Sequence, residues 1–286
     1  MSGLLFTVLT LSVLGVVAAV ILYYVVQMFK VYEDPRIDEV EKMLPGANCG
    51  GCGFAGCRGF ASSLVTSDDI SELYCPVGGG DTMSGIASYL GKTAAEKIPQ
   101  TATLRCGGCN EKRPRTNIYD GAASCAVAAS LYVGESGCAS GCLGLGDCVA
   151  KCAFGAITIN AESGLAEFDA DKCTGCGACL KACPKSLIEL RKKWPKNRAI
   201  YVACASPAKG AQVMKACKAG CIGCGKCVKE CAFGAIKIEN NLAYIDPMLC
   251  KLCRKCVNAC PTNAIKLVNM EPLKVVAKEE PKTTNA

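Results

Sequence analysis

The sequence predicts an α+β protein with one N-terminal transmembrane helix, a small cysteine-rich domain, and two tandem copies of a second cysteine-rich unit. Three observations carry this prediction. The first is an uncharged stretch from Gly3 to Phe29. The second is the grouping of the 25 cysteines into tight clusters. The third is an internal repeat, in which a pattern of cysteines and its flanking residues recurs further along the chain.

The N-terminal stretch predicts a membrane anchor. As a helix rising about 1.5 Å per residue it is roughly 40 Å long, which is enough to cross a hydrocarbon core of about 30 Å with some tilt. It lacks the basic n-region and the small-residue cleavage site of a signal peptide. Lys30 and Arg36 follow it. The positive-inside rule therefore predicts a single pass through the cell (inner) membrane, with the rest of the chain on the cytoplasmic side.

The composition favours metal-binding thiolates over disulfides. Disulfides rarely persist in a reducing compartment, where grouped cysteines stay free to bind metal. The chain has no histidine, which excludes His-ligated haem, Rieske centres and His-containing zinc sites. The formal charge of +7 does not indicate nucleic-acid binding, because each [4Fe–4S] cluster on four thiolates would add a charge of about −2.

Cys49, Cys52, Cys57 and Cys75 form the first group, within the segment Val40–Pro76. Three of them fall within nine residues, and the intervening glycines permit the tight curvature that this spacing needs. A Cys₄ zinc site usually draws on two Cys-x₂-Cys knuckles, and this segment has one. We therefore expect one [4Fe–4S] cluster on these four thiolates, here named the Cys75 set.

The repeat covers the C-terminal half of the chain. At one constant offset, Cys125, Cys138, Cys142, Cys148 and Cys152 recur as Cys204, Cys217, Cys221, Cys227 and Cys231. At a slightly shorter offset, Cys173, Cys176, Cys179 and Cys183 recur as Cys250, Cys253, Cys256 and Cys260. Each unit is predicted to hold a strand pair between its cysteine groups, Ala156–Ile159 with Ala166–Asp169 and Ile236–Glu239 with Leu242–Ile245.

This spacing is that of bacterial two-cluster ferredoxins, in which three close cysteines bind one cluster and the fourth ligates the other. If the fourth cysteine of each group ligates the cluster of the other group, three complete sets result. Each set is named by this fourth cysteine. The Cys152 set is Cys152, Cys173, Cys176 and Cys179; the Cys231 set is Cys231, Cys250, Cys253 and Cys256; the Cys260 set is Cys221, Cys224, Cys227 and Cys260. A fourth site is short of one ligand, because Leu145 stands where the repeat has Cys224, leaving Cys142, Cys148 and Cys183.

The remaining cysteines leave two arrangements open. In the first, which we favour, Cys138 completes the site near Leu145, and Cys106, Cys109 and Cys125 recruit Cys204 or Cys217. In the second, Cys106, Cys109, Cys125 and Cys138 form their own set, and the Leu145 site takes Cys204 or Cys217 or holds a [3Fe–4S] core. Twenty-five cysteines allow at most six sets of four, so five to six clusters are expected.

The predicted cofactor and metal ligands are therefore twenty cysteines, with five further candidates, and no catalytic residue. The twenty are Cys49, Cys52, Cys57, Cys75, Cys138, Cys142, Cys148, Cys152, Cys173, Cys176, Cys179, Cys183, Cys221, Cys224, Cys227, Cys231, Cys250, Cys253, Cys256 and Cys260. The further candidates are Cys106, Cys109, Cys125, Cys204 and Cys217.

With these motifs in place, the chain resembles the B subunit of the Rnf ion-translocating oxidoreductase complex along nearly its whole length. The resemblance rests on the anchor, the Cys75 set, Cys106-Gly-Gly-Cys109, Cys138-Ala-Ser-Gly-Cys142-Leu-Gly-Leu-Gly146 and Gly220-Cys-Ile-Gly-Cys-Gly225. Ala153 and Ala232 depart from the proline that commonly follows the fourth cysteine, for which only local effects on loop rigidity are expected.

The resemblance implies a one-electron carrier within a membrane-bound ferredoxin:NAD oxidoreductase. Electrons would enter from reduced soluble ferredoxin and pass to other membrane and flavin-bearing subunits, coupled to transport of Na⁺ or H⁺. The anchor holds no charged residue for an ion pathway, and no Gly-x-Gly-x-x-Gly follows a strand. The chain is thus expected to be a subunit without a complete catalytic site. The alternatives are a subunit of another ferredoxin-linked membrane enzyme, or a sensing protein with structural clusters.

The predicted domains are an anchor at 1–29, a small [4Fe–4S] domain at 30–95, and a cysteine-containing connecting segment at 96–136. Ferredoxin units follow at 137–199 and 200–270, and a tail at 271–286 reads as disordered. The basic stretch Arg191–Arg198 between the units reads as a solvated connector. Its charges are a candidate surface for steering an acidic ferredoxin.

Overall fold

Residues 2–28, 33–94, 97–271 and 273 are described by a computed structural model of the chain. Helix α1 (Ser2–Met28) opens the fold. Between Leu5 and Met28 it contains an 18-residue window with a mean hydropathy of 2.7, none of which is buried, so by length and composition the helix is able to cross a membrane. Phe29 and Lys30, where the predicted anchor ends, lie outside the described residues, as does the predicted tail apart from Glu271 and Leu273.

Three helices build the small domain that follows: α2 (Arg36–Met43), α3 (Cys57–Thr66) and α4 (Gly79–Leu90). They enclose a core in which Val40, Phe60 and Met83 are fully buried. Lys92 follows α4 and donates from its ammonium to three carbonyls at the end of α3, at 2.7 to 3.0 Å. It thereby satisfies carbonyl groups that a helix end leaves without partners.

The first ferredoxin unit is built from two antiparallel strand pairs and three short helices. Its elements in order are β1 (Gln100–Leu104), α5 (Cys125–Leu131), α6 (Asp147–Ala150), β2 (Ile157–Ile159), β3 (Ala166–Phe168), α7 (Ala178–Ala182) and β4 (Ile188–Lys192). Strand β1 pairs with β4, with Ala102 opposite Leu190, and β2 pairs with β3. The segment predicted as a connector at 96–136 thus supplies both a strand and a helix to this unit.

The second unit repeats the architecture. Its elements are β5 (Ala199–Val202), α8 (Gly210–Ala216), α9 (Lys226–Lys229), β6 (Ile236–Glu239), β7 (Leu242–Ile245), α10 (Lys255–Asn258) and β8 (Ile265–Val268). Strand β5 pairs with β8 and β6 with β7, both antiparallel. The α+β fold class is confirmed. The predicted hairpin strands match β6 and β7 and lie within one residue of β2 and β3, whereas β1, β4, β5 and β8 were not predicted.

The two units are joined through a buried arginine. Arg191, the first residue of the predicted solvated connector, lies in β4 with 2% of its surface exposed. Its Nη1 donates to the carbonyl of Ile200 at 3.0 Å and its Nη2 to that of Ile245. Its guanidinium also lies 5.5 Å from the ring centroid of Tyr244. The hypothesis that Arg191 is a surface charge is therefore wrong, and this side chain instead holds the second unit against the first.

Candidate iron–sulfur cluster sites

The Cys75 set comes together in the small domain. All four cysteines line one cavity beneath Phe60. Asn48 shapes the loop, because its Oδ1 accepts the backbone N–H of Cys57 at 2.8 Å, at the start of α3. Burial raises the pKa of the Cys75 thiol, and the nearby thiols of Cys52 and Cys49 raise it further. Four thiols facing a common space, with an N–H from Gly78 on one sulfur at 3.3 Å, form a donor set that suits an iron–sulfur core.

The Cys152 set lies in the first ferredoxin unit. Burial raises the pKa of Cys179 to about 12, with Cys173 and Cys176 as the next contributors. The Sγ of Cys173 accepts the N–H of Ala102 in β1 at 3.4 Å, and that of Cys152 accepts the N–H of Ala156 at 3.4 Å. Strand β1, which lies outside the repeat seen in the sequence, thus contributes a hydrogen bond to a predicted ligand.

The crossed sets of the second unit also assemble. Cys221, Cys224, Cys227 and Cys260 line one cavity of about 20 Å³. Burial raises the pKa of Cys227 to about 11, followed by Cys221, Cys260 and Cys224. Burial likewise raises the pKa of Cys256 to about 12, and the contributing thiols include Cys250, Cys253 and Cys231. Cys260 thus lines one cavity with the triplet of the Cys260 set, and Cys231 lies near Cys256 of the other triplet. This placement is compatible with the crossed ligands of the ferredoxin pattern.

The site near Leu145 gathers a cysteine that neither sequence-based arrangement placed there. Cys125 lines a cavity of about 30 Å³ together with Cys142, Cys148 and Cys183. Burial raises the pKa of Cys148 to about 11, and the next contributors are Cys142, Cys125 and Cys183. We name these four cysteines the Cys125 set. Cys138 shares a separate small cavity with Cys142 and Leu145 but does not line that of the Cys125 set.

Asp147 explains how Cys125 reaches this site. The Asp147 carboxylate accepts the backbone N–H groups of Cys125 and Ala126, both at 2.9 Å, and the hydroxyl of Ser124 at 3.1 Å. Burial opposes ionisation here, yet these hydrogen bonds leave the pKa of Asp147 below its ordinary value. A carboxylate at the N-terminus of α5 satisfies the free N–H groups of the helix. Because Asp147 adjoins Cys148, this cap fixes Cys125 beside the other three thiols.

Four of the remaining cysteines line a further cavity of about 130 Å³, namely Cys106, Cys138, Cys204 and Cys217. Cys109 does not line it, although it lies near enough to Cys217 to raise the pKa of that thiol, after burial and Cys106. The hypothesis that Cys138 completes the Leu145 site stays a prediction, and the arrangement of side chains favours Cys125 in its place. The sequence signal for this was Asp147, a capping residue next to a ligand.

The Cys75, Cys125 and Cys260 sets, and the group of Cys106, Cys138, Cys204 and Cys217, each line a cavity. Within the described ranges, no group of three or more His, Cys, Asp or Glu side chains is placed to hold a single metal ion. A zinc ion bound at about 2.3 Å draws its four thiolates to about 3.8 Å from one another. The thiols lining the cavities described above instead surround a space, and a cubane core with four thiolates at its corners is the group that such donors suit.

The small domain touches the first ferredoxin unit at a cluster loop. Gly51, between Cys49 and Cys52, approaches Cys176 so closely that a Cβ at position 51 would lie 2.7 Å from the Cys176 carbonyl oxygen. Gly175 makes a similar approach to Gln100 of β1, since a Cβ at position 175 would lie 2.6 Å from the Gln100 carbonyl oxygen. The loops that carry the Cys75 and Cys152 sets are therefore in direct contact.

Comparison with protein families finds iron–sulfur domains in this chain. A family described as a putative Fe–S cluster matches residues 44–72. A 4Fe–4S dicluster domain matches three times, at residues 137–187, 172–235 and 220–264. The first and third matches fall on the two ferredoxin units, and the middle one bridges them.

Three curated relatives match most of the chain. The B subunit of the Na(+)-translocating ferredoxin:NAD(+) oxidoreductase complex of Acetobacterium woodii is 42% identical over 84% of this chain and 71% of its own. The B subunit of the proton-translocating ferredoxin:NAD(+) oxidoreductase complex of Clostridium ljungdahlii is 39% identical over 87% of each chain. The B subunit of an ion-translocating oxidoreductase complex of Methanosarcina acetivorans is 40% identical over 87% of this chain and 92% of its own.

Proposed function

The chain belongs to the family of B subunits of ion-translocating ferredoxin:NAD(+) oxidoreductase complexes, and we propose that it takes electrons from reduced soluble ferredoxin and passes them to membrane and flavin-bearing partner subunits. It is an iron–sulfur electron-transfer subunit that carries [4Fe–4S] clusters. In the complex this transfer is coupled to NAD reduction and to the transport of Na⁺ or H⁺.

The observation that carries the proposal is the number of cysteine sets that lie side by side. We assign five clusters to the Cys75, Cys152, Cys125, Cys260 and Cys231 sets. When bound, each cluster accepts one electron and releases it again. The chain supplies cysteine thiolates, most of them partly or fully buried, backbone N–H groups that stabilise negative charge on the sulfurs, and a shell of apolar side chains that excludes water. A structural role would need only one such site, whereas several sites in contact suit the transfer of electrons from one cluster to the next.

The helix α1 supports membrane association, and we propose that it is a single-pass anchor with the cluster domains in the cytoplasm. Soluble ferredoxin would then reach the clusters from the cytoplasmic side. Trypsin added to inverted membrane vesicles is expected to degrade the cluster domains, and trypsin added to right-side-out vesicles is expected to leave them intact. The reverse pattern would place the domains on the opposite side and exclude a cytoplasmic donor.

Electron entry is tested on the full-length chain, purified in detergent without oxygen. Reduced ferredoxin is expected to reduce the clusters, seen as loss of visible absorbance and as new EPR signals of the reduced state. A sensing protein with structural clusters predicts a different result: dithionite would reduce the clusters, but ferredoxin would transfer no electrons at any ratio. That outcome would overturn the proposed function while leaving the cluster assignments in place.

A further inference from the structure

The cavity lined by Cys106, Cys138, Cys204 and Cys217 lies at the junction of the two ferredoxin units, and we name these residues the junction set. At about 130 Å³ it is larger than the cavities at the Cys75, Cys125 and Cys260 sets, which measure about 10, 30 and 20 Å³. Cys204 and Cys217 are buried and the other two thiols are partly exposed. The four residues come from four separate segments of the chain.

The junction set has an internal symmetry. Cys106 lies two residues after β1 ends, and Cys204 lies two residues after β5 ends. Cys138 and Cys217 each lie four residues before the first cysteine of their unit, Cys142 and Cys221. Each ferredoxin unit therefore contributes the same pair of positions. A four-thiol group built from equivalent positions of two repeats is difficult to explain as an accidental collection of free cysteines.

Contacts of the backbone follow the same symmetry. The N–H of Cys142 donates to the Sγ of Cys106 at 3.5 Å. Burial raises the pKa of the Cys204 thiol, and the backbone N–H of Cys221 lies near enough to act in the opposite direction. The segments are also tied across the junction, since the N–H of Gly107 donates to the carbonyl of Ala203 at 2.8 Å. The junction set therefore touches a ligand of the Cys125 set on one side and a ligand of the Cys260 set on the other.

The surroundings suit a group of net negative charge. Arg113 lines the cavity. Burial raises the pKa of the Cys217 thiol, while the Arg113 guanidinium acts in the opposite direction. Burial also raises the pKa of Cys138, and Cys106, Cys217 and Cys204 are among the groups that raise it further. Buried thiols that repel one another are stabilised as thiolates when they bind a positively charged core.

We propose that Cys106, Cys138, Cys204 and Cys217 bind a sixth [4Fe–4S] cluster, which connects the clusters of the two ferredoxin units into one electron path. The binding of a cluster by these four cysteines is argued from the geometry alone. Only its part in electron transfer between the two units rests on the proposed function. When bound, this cluster would take one electron from the adjacent reduced cluster of one unit, which is thereby oxidised, and would give it to the adjacent oxidised cluster of the other unit, which is thereby reduced. The electron transfer itself would move no proton and would break no covalent bond.

The contacts between neighbouring sets then give an order along the chain. Gly51 touches Cys176, which joins the Cys75 set to the Cys152 set. Cys148 is among the thiols that raise the pKa of Cys179, and Cys227 is among those that raise the pKa of Cys256. The proposed order is the Cys75, Cys152, Cys125, junction, Cys260 and Cys231 sets. Without the junction cluster, this order is interrupted between the two units.

The test is the iron content of the full-length chain, purified or reconstituted without oxygen. Six clusters require about 24 iron atoms per chain and five require about 20. Cys138→Ala and Cys217→Ala are each expected to lose iron, between one atom and a whole cluster, and the double variant is expected to lose no more than one cluster. Cys138→Ala combined with Cys125→Ala is expected to lose two clusters, because these residues belong to different sets.

Cys109→Ala is the matched control, since Cys109 lies in the same loop as Cys106 but does not line the cavity. It is expected to retain the iron and the EPR signals of the original chain. A wild-type content of about 20 iron atoms would overturn the proposal. So would unchanged iron in Cys138→Ala, or a loss in the Cys138 and Cys125 double variant that equals the loss in either single variant. None of these readouts requires ferredoxin, so they fail or succeed independently of the proposed function.

Discussion

The contact between Gly51 and Cys176 allows a sharp test of how the small domain meets the first ferredoxin unit. In Gly51→Ala, the new Cβ would lie 2.7 Å from the Cys176 carbonyl oxygen, whereas ordinary contacts begin at 3.4 Å. The loops must therefore separate by 3.4 − 2.7 = 0.7 Å. The obstructing atoms belong to the backbone and Cβ of Cys176, so they cannot rotate away as the end of a long side chain could.

Overpacking of this kind typically costs about 1 to 3 kcal/mol. At 1.4 kcal/mol per factor of ten, the contacting arrangement becomes about 5 to 150 times less populated. The φ of Gly51 lies outside the left-handed region, so alanine is otherwise compatible with its backbone. The expected result is faster hydrogen exchange in residues 49–52 and 174–177, together with slower electron transfer between the Cys75 and Cys152 clusters in freeze-quench EPR.

Gly59→Ala is the control within the same domain. Gly59 lies in α3, and a Cβ there would meet only the Cβ of Phe54, at 4.0 Å. Replacing a helical glycine in open space by alanine is expected to stabilise the helix by up to about 1 kcal/mol. If Gly51→Ala matches Gly59→Ala in both exchange and electron transfer, the two cluster loops are not in the contact described, and the reasoning fails.

Three further substitutions follow from other contacts. Arg191→Lys removes a planar donor from two buried carbonyls, so we expect the free energy of unfolding to fall by about 3 to 5 kcal/mol, measured from the denaturant midpoint; Lys196→Met, at an exposed position, should change it by less than about 0.5 kcal/mol. Lys92→Met leaves three carbonyls of α3 without their donor and should cost about 1 to 3 kcal/mol in the same assay; an equal midpoint would contradict the capping role. Asp147→Asn should cost about 1 kcal/mol at neutral pH. Because the folded pKa of Asp147 is lowered, its contribution is present above the unfolded value of about 3.9 and is lost as the pH falls through the folded pKa. Denaturation midpoints of the two proteins should therefore converge in acid, and a constant difference would refute this role.

The spacing of the ferredoxin cysteines predicts crossed sets in the second unit, and Cys221, Cys224, Cys227 and Cys260 line one cavity there. Three cysteines within seven residues share one loop, and the fourth crosses because the paired strands fix the distance between loops. The hairpin of β6 and β7 was equally visible, since two short apolar runs flank the turn at Asn240 and Asn241, both of which adopt positive φ. Local spacing and local turn chemistry determine these features, so the sequence carries them directly.

The features that sequence reasoning missed depend on contacts between distant segments. Strand β1 pairs with β4, and both cysteine groups of the unit lie between these strands in the sequence. A segment of five residues is too short to be identified as a strand without its partner. The constant offset of the repeat aligned Cys204 with Cys125, whereas the strand ends show that Cys204 corresponds to Cys106. The first unit has a longer insertion after its strand, and a constant offset cannot reveal that. Arg191 was placed in solvent because charged residues usually are.

The sequence positions of Cys125 and Cys106 determine whether the two ferredoxin units are independent modules. Both residues precede residue 137, where the first ferredoxin unit was expected to begin. In the proposed arrangement, a fragment that starts there would keep the Cys152, Cys260 and Cys231 sets intact but would break the Cys125 and junction sets. The duplicated halves are therefore no longer interchangeable parts. The insertion between β1 and Cys142 supplies ligands that the proposed electron path between the two units requires. Replacing either half by an ordinary ferredoxin would therefore remove cluster ligands and interrupt that path.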